Sequence, residues 1–282
     1  DGDHIVRLRL VSEGRFLSEV SRNVTATHST SVSNVVYWDG GDEAQRLRFL
    51  YLDTVKRALV NGHYHDVDQW PWFNEPTKGL VWWDAYRRML MMEELLLDLV
   101  ERDVPGDVAE AGVWRGGMTI FMAAFFKAWG LTHRLIWNLD SFVGIPTPEH
   151  IDFESFPQEK DTESWWFGNL AVPLEEVQRN FRRFDLDGNN VRFIKGFFKD
   201  SLPSAPIGEL CLIRIDADIY SSTFEALEFL YPKLSAGGFV VLDDWKVESS
   251  RDAILHYRDL HNITVPLEFA DAIDPIPFWR KP

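Results

Sequence analysis

Apolar residues change their spacing along this chain in a way that lays out most of its elements. From Glu43 to Val60 they recur three or four apart (Leu47, Leu50, Tyr51, Val55, Leu59), which predicts an amphipathic helix. A stronger stripe (Ala85, Met89, Met92, Leu95, Leu96, Leu99) predicts a helix over 84–102, ended by the Pro105-Gly106 turn. Beyond it, short apolar runs at 107–112, 135–140, 191–196, 210–216 and 238–244 read as strands. Helical spacing over 116–130, 173–184, 221–235 and 249–261 lies between them. Strands alternating with helices imply βαβ units, so the expected fold is α/β, with a mostly parallel central sheet and helices on both faces. Apolar runs near 263–270 and 277–280 are expected to add closing strands.

Two regions break the pattern. Residues 1–83 read as an N-terminal extension, part helical and part irregular. It holds a Ser/Thr/Asn-rich stretch from Thr25 to Asn34 and an aromatic connection at 62–83 that contains Pro71 and Pro76. Between Pro146 and Pro173 an insert rich in acids and aromatics follows the second strand. Inserts of this length are often lids, and Trp165, Trp166 and Phe167 are its candidate walls against a substrate. The domain that does the chemistry is expected to span 84–282.

Acidic residues stand at the ends of four of the five central strands: Glu110, Asp140, Asp216 with Asp218, and Asp243 with Asp244. In an open parallel sheet the carboxyl ends of the strands share one edge, where ligands bind. Six carboxylates on one rim repel each other unless positive charge sits among them.

Composition narrows the partners. The formal net charge of −15 argues against nucleic acid and anionic membranes, and no stretch is long and apolar enough to span a bilayer. One cysteine, Cys211, leaves no intrachain disulfide and no thiolate metal cage. The cytoplasm is the expected location. Twelve Trp and twenty Phe supply large apolar faces, for the core and for a pocket that takes a bulky ligand.

The turn after the first strand is Gly-rich, with Gly112, Gly116 and Gly117, but it misses the G-x-G-x-x-G spacing of dinucleotide sites. Glu110 would also put negative charge where a pyrophosphate sits. A cationic or zwitterionic ligand suits it better, and S-adenosylmethionine carries an amino group and a sulfonium but no phosphate. Asp140 is then placed to accept hydrogen bonds from two ribose hydroxyls. Asp216 and Asp218, two apart on a strand, face one side, and Asp243-Asp244 end the next strand. Hard oxygen donors without His or Cys select Mg²⁺, Ca²⁺ or Mn²⁺ over zinc. Two other roles stay open: Asp218 and Asp244 as helix caps, and the D-x-D pair as the grip of a metal-dependent glycosyltransferase.

The chain resembles the macrocin O-methyltransferase family, metal-dependent enzymes that methylate sugar hydroxyls on antibiotic glycosides. The resemblance rests on five ordered blocks: 104–117, 140–146, 196–203, 216–223 and 231–245. It implies a Rossmann-like class I methyltransferase fold, S-adenosylmethionine as donor, Mg²⁺, a small-molecule glycoside acceptor, and a homodimer or higher homo-oligomer. Residue by residue it implies donor contacts at Glu110, Gly112, Val113, Trp114, Gly116, Asp140, Ser141, Gly196 and Phe197. It further implies metal ligands at Asp216, Asp243 and Asp244, and Asp218 as general base. The first forty residues and the 146–173 insert lie outside the resemblance, so the acceptor stays open between a sugar and a catechol or phenol. A catalytically silent binding module would be expected to interrupt the rim acids, and none is interrupted.

Overall fold

The computed structural model describes residues 42–60, 85–157, 159, 170–270 and 276–282. Trp165, Trp166, Phe167 and the first forty residues lie outside them. Two helices precede the sheet, α1 (Glu43–Leu59) and α2 (Ala85–Glu101). Asp42 and Gln45 close a reciprocal capping box that starts α1. Then follow β1 (Asp107–Ala111), α3 (Gly117–Ala128), β2 (Ile136–Asp140), α4 (Leu174–Arg183) and β3 (Val191–Lys195). The second half is α5 (Phe198–Ser201), β4 (Leu210–Ile215), α6 (Tyr220–Leu230), β5 (Leu234–Leu242), α7 (Glu248–Leu260), β6 (Glu268–Phe269) and β7 (Pro277–Arg280).

The sheet order is β3-β2-β1-β4-β5-β7-β6. The first five strands run parallel, and β7 pairs antiparallel with both β5 and β6. The order in which strands are added reverses between β1 and β4, and there the carboxyl ends open a crevice. β1, β2 and β4 are buried almost throughout, as strands covered on both faces must be. β3, at the edge, carries Arg192 and Lys195, charges that discourage pairing with another chain.

Each face of the sheet has its own core. Val108, Leu212, Phe239 and Val241 pack under α1, α2, α3 and α4, while Ala109, Ala111, Ile213, Ile215, Val240 and Leu242 pack under α6 and α7. From Ile120 to Phe126, α3 is buried on every side, which is why its sequence is apolar all round. α1 belongs to this body: Leu52, Val55 and Leu59 enter the first core, and buried Lys56 meets Glu93 of α2 at 2.6 Å.

Two predicted elements have different bounds. The helix expected over 221–235 ends at Leu230, because Pro232 cannot continue it, and β5 begins at Leu234 rather than 238. Of the run expected over 263–270, only Glu268–Phe269 pairs as a strand. The helical turn Phe198–Ser201 carries no periodic signal, being four residues long.

Candidate active site

A cavity of about 370 Å³ opens at the carboxyl ends of the central strands. Its lining includes Glu110, Gly112, Val113, Trp114, Asp140, Ser141, Gly196, Phe197, Asp216, Asp218, Asp243 and Asp244. Of the predicted donor residues, Gly116 alone is not in that lining. A Cβ on Gly116 would meet Val177 of α4 at 2.8 Å, so this glycine lets α3 start close against α4. Gly117 and Met118, the next residues, do face the cavity.

The turn after β1 is shaped by its neighbours. Gly112 has φ +84°, and a Cβ there would lie 1.7 Å from the carbonyl oxygen of Asp216, so only glycine lets the turn cross β4's end. Asp140 holds the other side: Oδ2 accepts the backbone N–H groups of Val113 at 2.9 Å and Trp114 at 3.3 Å, and Oδ1 accepts that of Phe142 at 2.7 Å. Burial raises the pKa of Asp140 against these three donors. Its carboxylate therefore organises the turn as well as facing the cavity. Ser141 donates to the carbonyl of Gly144 at 2.6 Å, bending the chain along the wall.

On the other side of the switch point, Asp216, Asp243 and Asp244 each offer a carboxylate oxygen, all within 4.8 Å of one another. Asp218 follows in a left-handed conformation, φ +61°, and its backbone N–H donates to the Asp244 carboxylate at 2.9 Å. The helices that begin nearby are N-capped at Ile219 and Val247 without a side-chain bond, so neither Asp218 nor Asp244 serves as their cap.

Positive charge does sit among the acids, and it comes from two arginines that the sequence reading missed. Arg214, 5 % exposed, stands beside Glu110 in the β1–β4 register and pairs with its Oε1. It also reaches Asp216 at 2.9 Å and Asp243 at 2.7 Å. Arg88, from the first turn of α2, pairs with the other oxygen of Asp243. The one available signal for Arg214 was a lone charge in the apolar run Leu210–Ile215. For Arg88 there was none, since its partner is 155 residues away.

The ionisation of the array follows from burial and crowding. Burial lifts Glu110 to about 8, against the pull of Arg214 and with help from Asp216 and Asp243. Asp216 rises to about 6 through burial and the charge of Asp243. Asp244 is pushed well above the usual range by burial and by Asp218, Asp216 and Asp243. Burial works to lower Arg214, but Asp243, Asp216 and Glu110 overcome it and hold this guanidinium firmly charged. Even with two guanidinium groups present, the acids still raise one another's pKa, so the rim favours added positive charge, be it a proton or a cation. Glu110 Oε2, buried and without a hydrogen-bond partner, marks a second unmet demand for a donor.

Sheet order, switch-point cavity and strand-end acids together define a class I methyltransferase. The chain belongs to the macrocin O-methyltransferase (TylF) family, which matches residues 84–281. It is 41 % identical over 250 residues to 8-demethyl-8-(2,3-dimethoxy-alpha-L-rhamnosyl)-tetracenomycin-C 4'-O-methyltransferase of Streptomyces olivaceus, covering 83 % of this chain and 93 % of that one. Mycinamicin III 3''-O-methyltransferase of Micromonospora griseorubida is 37 % identical, covering 82 % of this chain and 96 % of that one. Among solved structures, the O-methyltransferase NovP superposes with a TM-score of 0.70 at 34 % identity, covering 83 % of this chain and 99 % of that one. The protein is an O-methyltransferase, and the glycosyltransferase and silent-module alternatives fall with that membership. Among the described residues no helix is long and apolar enough to cross a membrane.

Proposed function

We propose that this enzyme moves the methyl group of S-adenosylmethionine to a hydroxyl of a sugar on a natural-product glycoside, with Mg²⁺ held by Asp216, Asp243 and Asp244. The observation that carries the reading is that these three carboxylates line the same cavity as Glu110 and Asp140. Their hard oxygens and the mutual repulsion of their charges fit a hard divalent cation. The unpartnered Glu110 Oε2 fits the ammonium of the donor. The sugar as acceptor is supported by the activities for which the tetracenomycin and mycinamicin relatives are named.

The sulfonium supplies the methyl electrophile, and a cation at the aspartates would make the acceptor hydroxyl a stronger acid. The chain's own residues do the rest. Glu110 and the turn from Gly112 to Trp114 seat the methionine end, Asp140 and Ser141 the ribose, and Gly196 and Phe197 the adenine. Asp218, in the same cavity, takes the hydroxyl proton as the oxygen attacks. Holding nucleophile and methyl in line supplies much of the remaining acceleration. On this reading the insert that leaves the cavity wall at Pro146 and returns to it at Leu170 faces the acceptor. The enzyme works in the cytoplasm as a homodimer or higher homo-oligomer.

The test is mass spectrometry of rhamnosyl-tetracenomycin and mycinamicin-type glycosides incubated with labelled donor and Mg²⁺. Methylated sugar is expected, and activity unchanged in excess chelator would remove the cation. Asp218→Asn should keep donor binding and lower kcat about a hundredfold or more. Near-normal turnover would remove the base assignment.

A further inference from the structure

Both oxygens of Asp243 are already engaged by cations. Oδ1 faces Arg214 at 2.7 Å and Oδ2 pairs with Arg88. A divalent cation ligated by Asp243 would sit against the guanidinium that shares its oxygen, and the two positive charges repel. The two arginines differ in how readily they can yield. Arg214 rises from the middle of the sheet, its side chain 6 % exposed, and is gripped by three acids at once: Glu110, Asp216 and Asp243. Moving it would strip Glu110 of its partner and leave Asp243 with Arg88. Arg88 comes from the first turn of a helix, lines the cavity, pairs with Asp243, and among the causes of Asp216's shift acts through its charge alone. A flexible side chain on an element's end is the one that can swing.

We propose that Arg88 is the resident counter-ion of Asp243 and that a divalent cation binds by displacing it. The inference rests on the cation reading above and deepens it, adding that the cation competes with a charge tethered to α2. Two consequences follow from Coulomb's law. Arg88 weakens cation binding, because it repels the ion and occupies its ligand. Cation binding in turn frees the start of α2 from the sheet edge, so that the helix bordering the cavity reports whether the metal is present.

Mn²⁺ titration of the full chain, followed by the electron paramagnetic resonance of the free ion, tests this directly. Arg88→Gln keeps a polar side chain of similar reach and removes the charge. It should bind Mn²⁺ more tightly by on the order of tenfold, the factor expected for removing one unit charge about 6 Å from a divalent ion even at the dielectric of water. Arg88→Lys keeps the charge and should stay within about threefold of the parent. Binding by Arg88→Gln that is no tighter than the parent's would overturn the proposal. A second measurement needs no variant: in the parent, hydrogen exchange over residues 85–91 should rise on adding Mn²⁺, and unchanged or slower exchange there would also overturn it. A parent that takes up no Mn²⁺ at all sinks the cation reading itself. A parent that takes it up, with Arg88→Gln unaltered, sinks only the displacement.

Discussion

At the scale of single residues, the site depends on positions where one atom more or less changes the chain's path. Gly112 is the sharpest case, with no room for a Cβ against the Asp216 carbonyl. Gly112→Ala should destabilise the fold by about 3–5 kcal/mol or prevent it from forming, read by urea unfolding and soluble yield. A loss under about 1 kcal/mol would mean the turn can relax away from β4. Asp218 shows the opposite tolerance. Its left-handed backbone suits Asn as well as Asp, so the asparagine variant removes the carboxylate without disturbing the turn. The rim acids were legible in sequence because a parallel sheet sends every strand end to one edge. The doubled use of Asp140, which fixes the Val113–Trp114 turn, was hidden because it depends on side-chain reach between two loops. The packing duty of Gly116 was hidden for a related reason: in sequence a glycine that clears a ligand looks the same as one that clears a neighbouring helix.

At the scale of elements, periodicity located the helices and central strands, and it failed where a signal was shorter than its period. The start of β5 was absorbed into the preceding helix because Leu227, Leu230, Tyr231 and Leu234 keep helical spacing across Pro232. Contacts between elements were out of reach altogether. The insert offers one: Glu159 accepts both the backbone N–H and the hydroxyl of Ser221, at 2.9 and 3.0 Å, while Phe156 packs edge-on against Tyr220 and Phe224. A carboxylate from the insert thus caps the first turn of α6, next to Asp218 and the cavity-lining Ser222. Glu159→Ala should cost about 1–2 kcal/mol, as other lost helix caps do. It should also raise the acceptor KM more than the donor KM, which initial-rate kinetics will separate.

A second contact between elements carries a pH dependence. Glu225 of α6 accepts the N–H of Lys199 in α5, and burial pushes its pKa to about 7. Folding therefore disfavours its charged form. The unfolded chain gives up this proton near pH 4.5, the fold near 7, so stability falls as pH rises through that window and is fully kept below it. Glu225→Gln keeps the acceptor and removes the charge. It should be more stable than the parent at pH 8 by on the order of 1–2 kcal/mol, after discounting for partial exposure, and equal to it near pH 4. Thermal unfolding at the two pH values checks the sign.

At the scale of the whole molecule, one rim gathers charges from most of the chain: Arg88, Glu110, Asp140, Arg214, Asp216, Asp218, Asp243 and Asp244. Acids at strand ends announced the carboxylate half of that array. Of the cationic half, Arg214 showed only as a lone charge in an apolar strand, and Arg88 became visible only when α2 was laid across the sheet. The sheet itself closes in an order unlike its sequence. β6 precedes β7 in the chain but lies outside it, and among the described residues its strand partner is β7. β7 slots between β5 and β6, burying Phe278 and Trp279 and tying Arg280 to Asp98 of α2.

A chain emerging from the ribosome therefore holds β5 as a bare edge until residue 280 has cleared the exit tunnel, however early the rest has condensed. Such an edge is a template for misassociation. Translation stalled at residue 275 should leave a nascent chain that aggregates or recruits chaperones, whereas release of the last strand as a separate peptide should rescue its solubility. Late closure makes β7 a quality checkpoint in synthesis: a polypeptide lacking it would carry every proposed catalytic side chain and still leave β5 uncovered.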